Sequence, residues 1–364
     1  MHRIHLTYAL GDSGDSPREL HHPLMRLLDA IHVTGSISGA ARELDLSYRH
    51  VWGELKRWEQ ELGQDLVVWS KGQPARLSQF GEKLLWAERR AKARLAPQID
   101  ALRSELERAF AIAFDPHAEV LTLYASHDNA LPLLRETAAR DDLHLDMRFT
   151  GSTEALQALN RGVCTVAGFH AHVHSPLRSP TAQAYRPLLK PGRHKLIGFA
   201  RRTQGLIVAP GNPAGIHALA DLTRGGLRFV NRPWGAGTRV LLEQLLAQQR
   251  IPARDIAGFD REEPSHDAVA EAVACGSADV AFGIESAARQ RGLDFVPITQ
   301  EGYFLVTLRE HLEQPELQHL RRILQARAWQ ERLERLRGYE SDRSGEVLSL
   351  RSVLPWWSYR RPKA

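Results

Sequence analysis

The chain has 364 residues, with 48 Lys and Arg against 43 Asp and Glu and a formal charge of +5. That length excludes a single small domain and gives room for two or three cores, while the modest positive balance suits a nucleic-acid partner without requiring one. Two cysteines, Cys164 and Cys275, exclude a disulfide framework and fit buried thiols in a reducing compartment, and no segment reads as a signal peptide or bilayer span, so the expectation is a soluble, cytoplasmic protein with no membrane partner.

Residues 3–10 alternate apolar and polar side chains and read as a strand, ended by Gly11-Asp12-Ser13-Gly14. A helix begins at Pro23, with Leu24, Leu27, Leu28 and Ile31 on its core face. Next comes TGSISGAARELDLSYRHVWGELKRW, residues 34–58, whose spacing is that of a helix-turn-helix. Ser36 or Ser38 caps a short helix carrying Ala40, Ala41 and Leu44, Leu46 is expected to plug the space between the helices, and Ser47 caps a second helix that buries Val51, Leu55 and Trp58. The opposite face carries Tyr48, Arg49, His50, Lys56 and Arg57, chemistry suited to base edges and phosphates.

Residues 66–69 and 75–77 read as the strands of a wing around Ser70-Lys71-Gly72-Gln73-Pro74, so Lys71 and Arg76 become candidate phosphate contacts beside Ser47 and the exposed residues of the second helix. Ser78 caps a helix of about thirty residues with an apolar stripe at Leu84, Leu85, Ala91, Leu95, Ile99, Leu102, Leu106 and Phe110. Pro97 is expected to kink or divide it. The stripe reads as a dimerisation element, giving a homodimer or dimer of dimers that presents two recognition helices to one double-stranded DNA operator. Phe114-Asp115-Pro116 ends it.

The run GSISGAARELDLSYRHVW, with the wing and LSQFGEKLL, resembles the DNA-binding domain of molybdate-responsive regulators of the ModE type, which are related to LysR-type regulators in this region. The likeness covers roughly the first hundred residues.

From Glu119 onward strands alternate with helices. Strands are expected at residues 120–125, 145–149, 163–169, 227–230, 256–259 and 279–283, with helices between them, giving a parallel α/β sheet in two lobes. Ligands of such folds sit where strands end and helices begin. Those ends carry Ser126-His127-Asp128, Gly151-Ser152-Thr153, the run Asn231-Arg232-Pro233-Trp234-Gly235-Ala236-Gly237-Thr238-Arg239, and Pro264-Ser265-His266-Asp267. Hydroxyls and amides converging on one cleft, with Arg232 or Arg239 nearby, make a receptor for a small oxyanion or carboxylate. Each Ser or Thr taken alone is an ordinary helix cap, and Asp128 and Glu285 read as caps too. His170 follows a strand end facing the cleft. His170, His172 and His174 alternate, with His194 later, yet no Cys or carboxylate cluster accompanies them, so no metal site is assigned.

The phrases FVNRPWGAGTR, EEPSHDAVAEAVACGSADVAFGIESAARQRGLDFVPI and EGYFLV resemble the molybdate- and tungstate-binding branch of the periplasmic-binding-protein-like domains, over most of residues 119–330. The resemblance implies oxyanion contacts from Ser126, Ser152, the Gly237-Thr238 turn, the Ser265-His266 helix start and Tyr303. Arg232, Arg239, His127 and His266 exceed what neutral recognition of a dianion needs, which leaves a carboxylate or a molybdenum-cofactor-derived ligand open.

The architecture expected is therefore α/β. A winged helix-turn-helix occupies 1–77, a dimerisation and linker helix 78–116, a two-lobed type II periplasmic-binding-protein-like domain 117–330 and a tail 331–364. In that tail Val347-Leu348-Ser349-Leu350 and Pro355-Trp356-Trp357 dock on the lobes or a partner subunit, and Arg360, Arg361 and Lys363 are solvated or touch DNA. No phosphate loop, nucleophile elbow or paired-carboxylate motif marks an enzyme, and no cofactor is called beyond the anionic effector. One alternative is a LysR-like regulator responding to a small carboxylate or a molybdenum-cofactor-derived ligand; another is a molybdenum-cofactor carrier protein, which leaves the helix-turn-helix unused.

Overall fold

The computed structural model describes residues 22–69, 75–172 and 175–357. The strand expected at 3–10, the wing turn with Lys71, His174, and Arg360, Arg361 and Lys363 lie outside those residues. Two compact units are present, Met1–Lys92 and Ala93–Ala364.

In the first unit, α1 (Pro23–Thr34), α2 (Ile37–Glu43) and α3 (Tyr48–Leu62) precede a wing of β1 (Val67–Val68) and β2 (Arg76–Leu77). The capping follows from the serines. Ser36 Oγ accepts from Gly39 N at 3.0 Å and Ser47 Oγ from His50 N at 3.1 Å, each satisfying a free amide of a starting helix. Leu24, Leu28, Ile31, Ile37, Ala40, Val51, Leu55, Leu66, Leu77 and Leu85 form one core. Leu46 does not plug it, being 39% exposed. Asp45 takes a left-handed conformation and the Leu46 amide bonds back to the Ala41 carbonyl, so Leu44, two positions earlier, packs against the core instead. Trp58 is half-buried. A feature absent from the sequence reading is Glu59: its carboxylate is buried, accepts from Leu66 N (2.8 Å) and Val67 N (3.2 Å), and ties α3 to the wing.

Ser78 starts α4 (Gln79–Phe114), and Phe114 ends it as expected. Pro97 does not divide this helix. Its missing N–H frees the Ala93 carbonyl, which accepts Ser265 Oγ at 3.1 Å instead. The Ala93–Phe114 half belongs to the second unit. Ala93, Pro97 and Ser104 are buried there, and Ser104 Oγ donates to Leu145 O (2.8 Å) while accepting from Met147 N (2.7 Å). Leu95, Leu102 and Phe110, on another face, are 45%, 55% and 39% exposed.

The second unit continues with β3 (Glu119–Ala125), α5 (Ala130–Ala139), β4 (Leu143–Phe149), α6 (Ser152–Asn160), β5 (Val166–Ala171), α7 (Pro180–Tyr185), β6 (His194–Val208), β7 (Phe229–Val230), α8 (Gly237–Gln248), α9 (His266–Ala274), β8 (Val280–Ile284), α10 (Glu285–Arg289) and β9 (Asp294–Leu308). The sheet runs β4-β3-β5-β9-β6-β8-β7. It is mixed rather than parallel. β3 pairs β4 and β5 in parallel, as β7 does β8, but β6 and β9 are fifteen-residue antiparallel partners that pass through both lobes. β5 joins the carboxyl half of β9 and β8 the carboxyl half of β6. Two bulges, between Gly198 and Ala200 and between Gln204 and Gly205, interrupt the long pair, which is where a sheet bends. The strand expected at 256–259 is a turn, because Gly258 at φ 90° breaks extended backbone.

The tail closes on this unit: α11 (Pro315–Gln325), α12 (Arg327–Glu334), β10 (Tyr339–Glu340), β11 (Val347–Ser349) and α13 (Leu350–Val353) follow, and β10 and β11 both pair with β6. Trp356 is buried, its Nε1 donating to Ser175 O at 3.0 Å. The tail thus docks on its own lobes.

Candidate functional site

In the first unit, Tyr48, Arg49 and His50 are exposed on the first turn of α3, and Arg76 is exposed on β2. Ser47 is their cap. Lys56 reaches Glu59 at 2.6 Å, and Arg57 pairs with Glu54 at 2.6 Å while lying over the Trp58 ring at 4.6 Å. Those two cations have partners within the helix, whereas the helix start, with its free amides and positive dipole end, carries the open ones.

Within the second unit, the strand ends and the long strands bring together a buried polar cluster. Ser126 after β3 and Ser152 at the start of α6 are buried with their Oγ atoms 3.3 Å apart. His170 of β5 stacks against Tyr303 of β9, ring centroids 3.9 Å apart. From the other lobe, Thr238 in the first turn of α8 accepts from Gln204 Nε2 at 3.0 Å and lies 3.4 Å from His266 Nε2 at the start of α9. The lobes meet closely: a Cβ on Gly237 would fall 2.9 Å from the His170 ring, and one on Gly151 would fall 3.1 Å from Gly235 O.

Several of these groups lack a protein partner: both ring nitrogens of His170, Nδ1 of His266, the Tyr303 hydroxyl, Oε1 of Gln204 and Nε of Arg232. Buried polar atoms are almost always hydrogen-bonded. So many unsatisfied in one place describe a site built for something polar.

The charges sort sharply. Arg202, in the middle of β6, bonds Asp128 and, at 2.6 Å, Glu301 of β9. Tyr339 of the tail, opposite Arg202 in the register, donates to Asp128 at 2.6 Å. Arg232 has no such carboxylate; its Nη1 donates only to the Glu263 carbonyl, at 3.0 Å. Burial and then the neighbouring Arg202 charge depress its guanidinium to about 9. Burial, followed by the charges of Arg202 and Arg232, holds His170 and His266 well below the usual imidazole range, so both are neutral donors or acceptors.

Other candidates serve the scaffold. Arg239 bonds Glu243 at 2.8 Å and the Phe259 carbonyl, and stacks on the Phe259 ring. Asn231 bonds Phe259 O and Arg232 N. Ser265 caps α9 through Ala268 N and donates to Ala93 O. His127 Nε2 lies 3.6 Å from Asp100 of α4; burial works to raise that carboxyl, but the hydrogen bond from His127 and the Arg135 charge hold it low. Thr153 is half-buried beside Gly235. The apparent excess of basic residues therefore reduces to one buried cation without a carboxylate hydrogen bond, Arg232, which Asp267 and Asp128 offset only through space. Asp128 accepts from Ala130 N in the turn before α5, whose cap position is Asn129 and has no side-chain bond, and it also holds Arg202 and Tyr339. Among the described residues no His, Cys, Asp and Glu group is placed to hold a metal, and no helix is long and apolar enough to cross a membrane. Cys164 is buried and its thiol pushed up to about 12 by burial; Cys275 is only half-buried.

Residues 134–325 match the PBP superfamily domain. The chain belongs to the PBP superfamily. Residues 23–82 match the bacterial regulatory helix-turn-helix protein, lysR family. A lysR-family helix-turn-helix match thus precedes the domain of this PBP-superfamily chain. It is 30% identical over 201 residues to the uncharacterized protein YvgK of Bacillus subtilis, covering 55% of this chain and 64% of that protein. It is 34% identical over 111 residues to an uncharacterized protein encoded in the 5' region of a ferredoxin 2Fe-2S gene of Clostridium pasteurianum, covering 30% of this chain and 98% of that one. Similar solved structures include a cysteine-to-serine mutant of Corynebacterium glutamicum OxyR with hydrogen peroxide bound (19% identity, 86% and 94% of the two chains, TM-score 0.43). Another is full-length CbnR complexed with its target DNA (17% identity, 82% and 98%, TM-score 0.41).

Proposed function

We propose that this regulator senses a small oxyanion, molybdate or tungstate, in the interlobe cleft, that it acts in the cytoplasm as a homodimer, and that lobe closure on the anion changes its affinity for an operator. The observation that carries the reading is Arg232: a buried guanidinium without a carboxylate hydrogen bond, among unsatisfied neutral polar groups. An isolated buried charge costs several kcal/mol even after relaxation, roughly the scale that an anion would return. Ser126, Ser152, Thr238, Tyr303, His170 and His266 supply hydroxyl and imidazole groups from both lobes, so an anion held by all of them favours the closed state over the open one. The one hydroxyl–imidazole pair among them, Thr238 with His266 at 3.4 Å, has no group orienting the ring through His266 Nδ1, and the hydroxyl already accepts from Gln204, which favours binding over catalysis.

Calorimetric titration with molybdate, tungstate, sulfate and small carboxylates at fixed salt tests it. Tight molybdate and tungstate binding with sulfate rejected supports the oxyanion reading. Binding of a carboxylate alone replaces it with the second reading, which rests on the fork geometry that a guanidinium offers a carboxylate. Binding without any change in operator affinity removes the proposed coupling.

A further inference from the structure

The recognition helix contains a glycine that nothing in the chain explains. Gly53 lies in the interior of α3 and is exposed, and glycine is among the poorest helix formers. The other described glycines of the first unit have evident reasons. Gly35 and Gly63 end helices in the left-handed conformation. A Cβ on Gly39 would fall 2.6 Å from Thr34 Cβ, and one on Gly81 would fall 2.4 Å from the Leu66 carbonyl oxygen. Gly53 has an ordinary helical backbone, and a Cβ there would meet nothing within 4 Å.

Its place on the helix supplies the reason. Arg49, Gly53, Lys56 and Gln60 recur at steps of four, three and four on the side away from Val51 and Leu55, which are buried. Gly53 therefore stands near the middle of the outward face, one position after the half-exposed Trp52 and four after Arg49. A side chain missing from the middle of the face that carries Arg49, Lys56 and Gln60 leaves a notch. Close approach of a second body to a helix backbone is what a glycine permits.

We infer that Gly53 is the point of closest approach between α3 and duplex DNA, and that the absent side chain sets how deeply the helix enters the groove. The exposed Arg49 at the helix start, with Lys56 on the same face, suits DNA rather than an apolar protein partner. The inference rests on the DNA-binding reading and adds a residue whose role is to be small. Depth in the groove decides whether Tyr48, Arg49 and His50 reach base edges or stop at the backbone, so Gly53 is a positioning residue for readout.

The test uses the full chain and the duplexes that the wild-type protein enriches from a random pool. Gly53→Ala should leave the unfolding temperature unchanged or raise it by about 2 °C, because alanine is the better helix former. Its operator affinity should fall about tenfold, and Gly53→Gln should bind more weakly still, in proportion to side-chain size. Variants that bind within about twofold of wild type overturn the inference. So does a Gly53→Ala protein that unfolds earlier, since the glycine would then serve the fold. A wild-type protein that enriches no duplex at all overturns the DNA-binding reading itself, which the other two outcomes leave standing.

Discussion

Arg202 and Arg232 are both buried in the same cleft, yet Arg202 is held between Asp128 and Glu301 while Arg232 has only a main-chain carbonyl. The two guanidiniums should respond oppositely to removal. Arg202→Met leaves two carboxylates buried without their cation and should cost about 3–5 kcal/mol of stability. Arg232→Met removes a charge that burial and Arg202 disfavour more than Asp267 and Asp128 favour it, so the unliganded protein should be at least as stable as wild type. Anion affinity should nonetheless fall about a hundredfold or more. Urea unfolding and calorimetry on the two variants check this; a destabilised Arg232→Met protein that keeps its ligand contradicts the assignment.

The cleft histidines give a pH dependence with a definite sign. His170 and His266 are lowered well below 6.5, by burial first and by the arginine charges next. Below about 6.5 the unfolded chain takes up protons that the folded state refuses, so stability is full above that value and declines as pH falls, by up to about 1.4 kcal/mol per unit for each group. Unfolding midpoints measured from pH 7.5 to 5 should drop, and the drop should shrink in a His170→Asn, His266→Asn double variant. An unchanged slope would place the acid sensitivity elsewhere.

The sequence made some of this legible and concealed the rest for physical reasons. Ser47 and Ser78 could be assigned as caps, and the first cap narrowed to Ser36 or Ser38, because a cap is a local device, readable from a hydroxyl three residues ahead of an amide. The cleft serines were likewise visible at strand ends. The long strands β6 and β9 were not. Their middles carry Arg201-Arg202-Thr203-Gln204 and Thr299-Gln300-Glu301, polar runs that look like loops until the partner strand supplies the opposite charge. That same pairing hid Arg202, Gln204 and Glu301 from any search of helix starts. Tyr339 was hidden further still, since its role depends on a tail strand landing opposite Arg202. The signal available was two charged stretches inside otherwise apolar segments, which a buried sheet tolerates only when they answer one another.

Glu59 should prove the pin of the wing. Its buried carboxylate takes both Leu66 N and Val67 N and is itself met by Lys56. Glu59→Ala strands two amides and should cost about 2 kcal/mol. Operator binding should weaken with it, because β2 carries Arg76. Unfolding of the variant together with its operator affinity checks both, and a Glu59→Ala protein of wild-type stability would show that water replaces the carboxylate.

The exposed apolar face of α4 makes the dimer testable. Leu95 and Leu102 are about half exposed and spaced seven apart, the repeat of a helix seam. Leu95→Glu with Leu102→Glu should give a monomer by sedimentation while leaving anion affinity unchanged, since neither side chain lines the cleft. Operator affinity should fall steeply, because a monomer presents one recognition helix where a dimer presents two. A double variant that remains a dimer would assign self-association to another surface.

Pro97 and Ser265 form the link through which the cleft can act on α4. The proline deletes the amide that would have satisfied Ala93 O, and Ser265, whose Oγ also caps α9, fills that vacancy at 3.1 Å. Next to it, Arg94 bonds Glu263 at 2.6 Å, and α9 begins with the cleft residue His266. Ser265→Ala should therefore destabilise by about 1–3 kcal/mol, losing a cap and stranding a carbonyl. Pro97→Ala restores the helix amide, so in that background the serine should matter less, with a coupling of about 1 kcal/mol in a double-mutant cycle. The functional consequence follows from the same geometry. With Ala93 O satisfied inside α4, movement of α9 on anion binding is no longer passed to the helix that leads into the DNA-binding unit. Pro97→Ala should keep its anion affinity but lose most of the anion's effect on operator binding. If additivity holds in the cycle, or the anion's effect survives in Pro97→Ala, the signal leaves the cleft by another route.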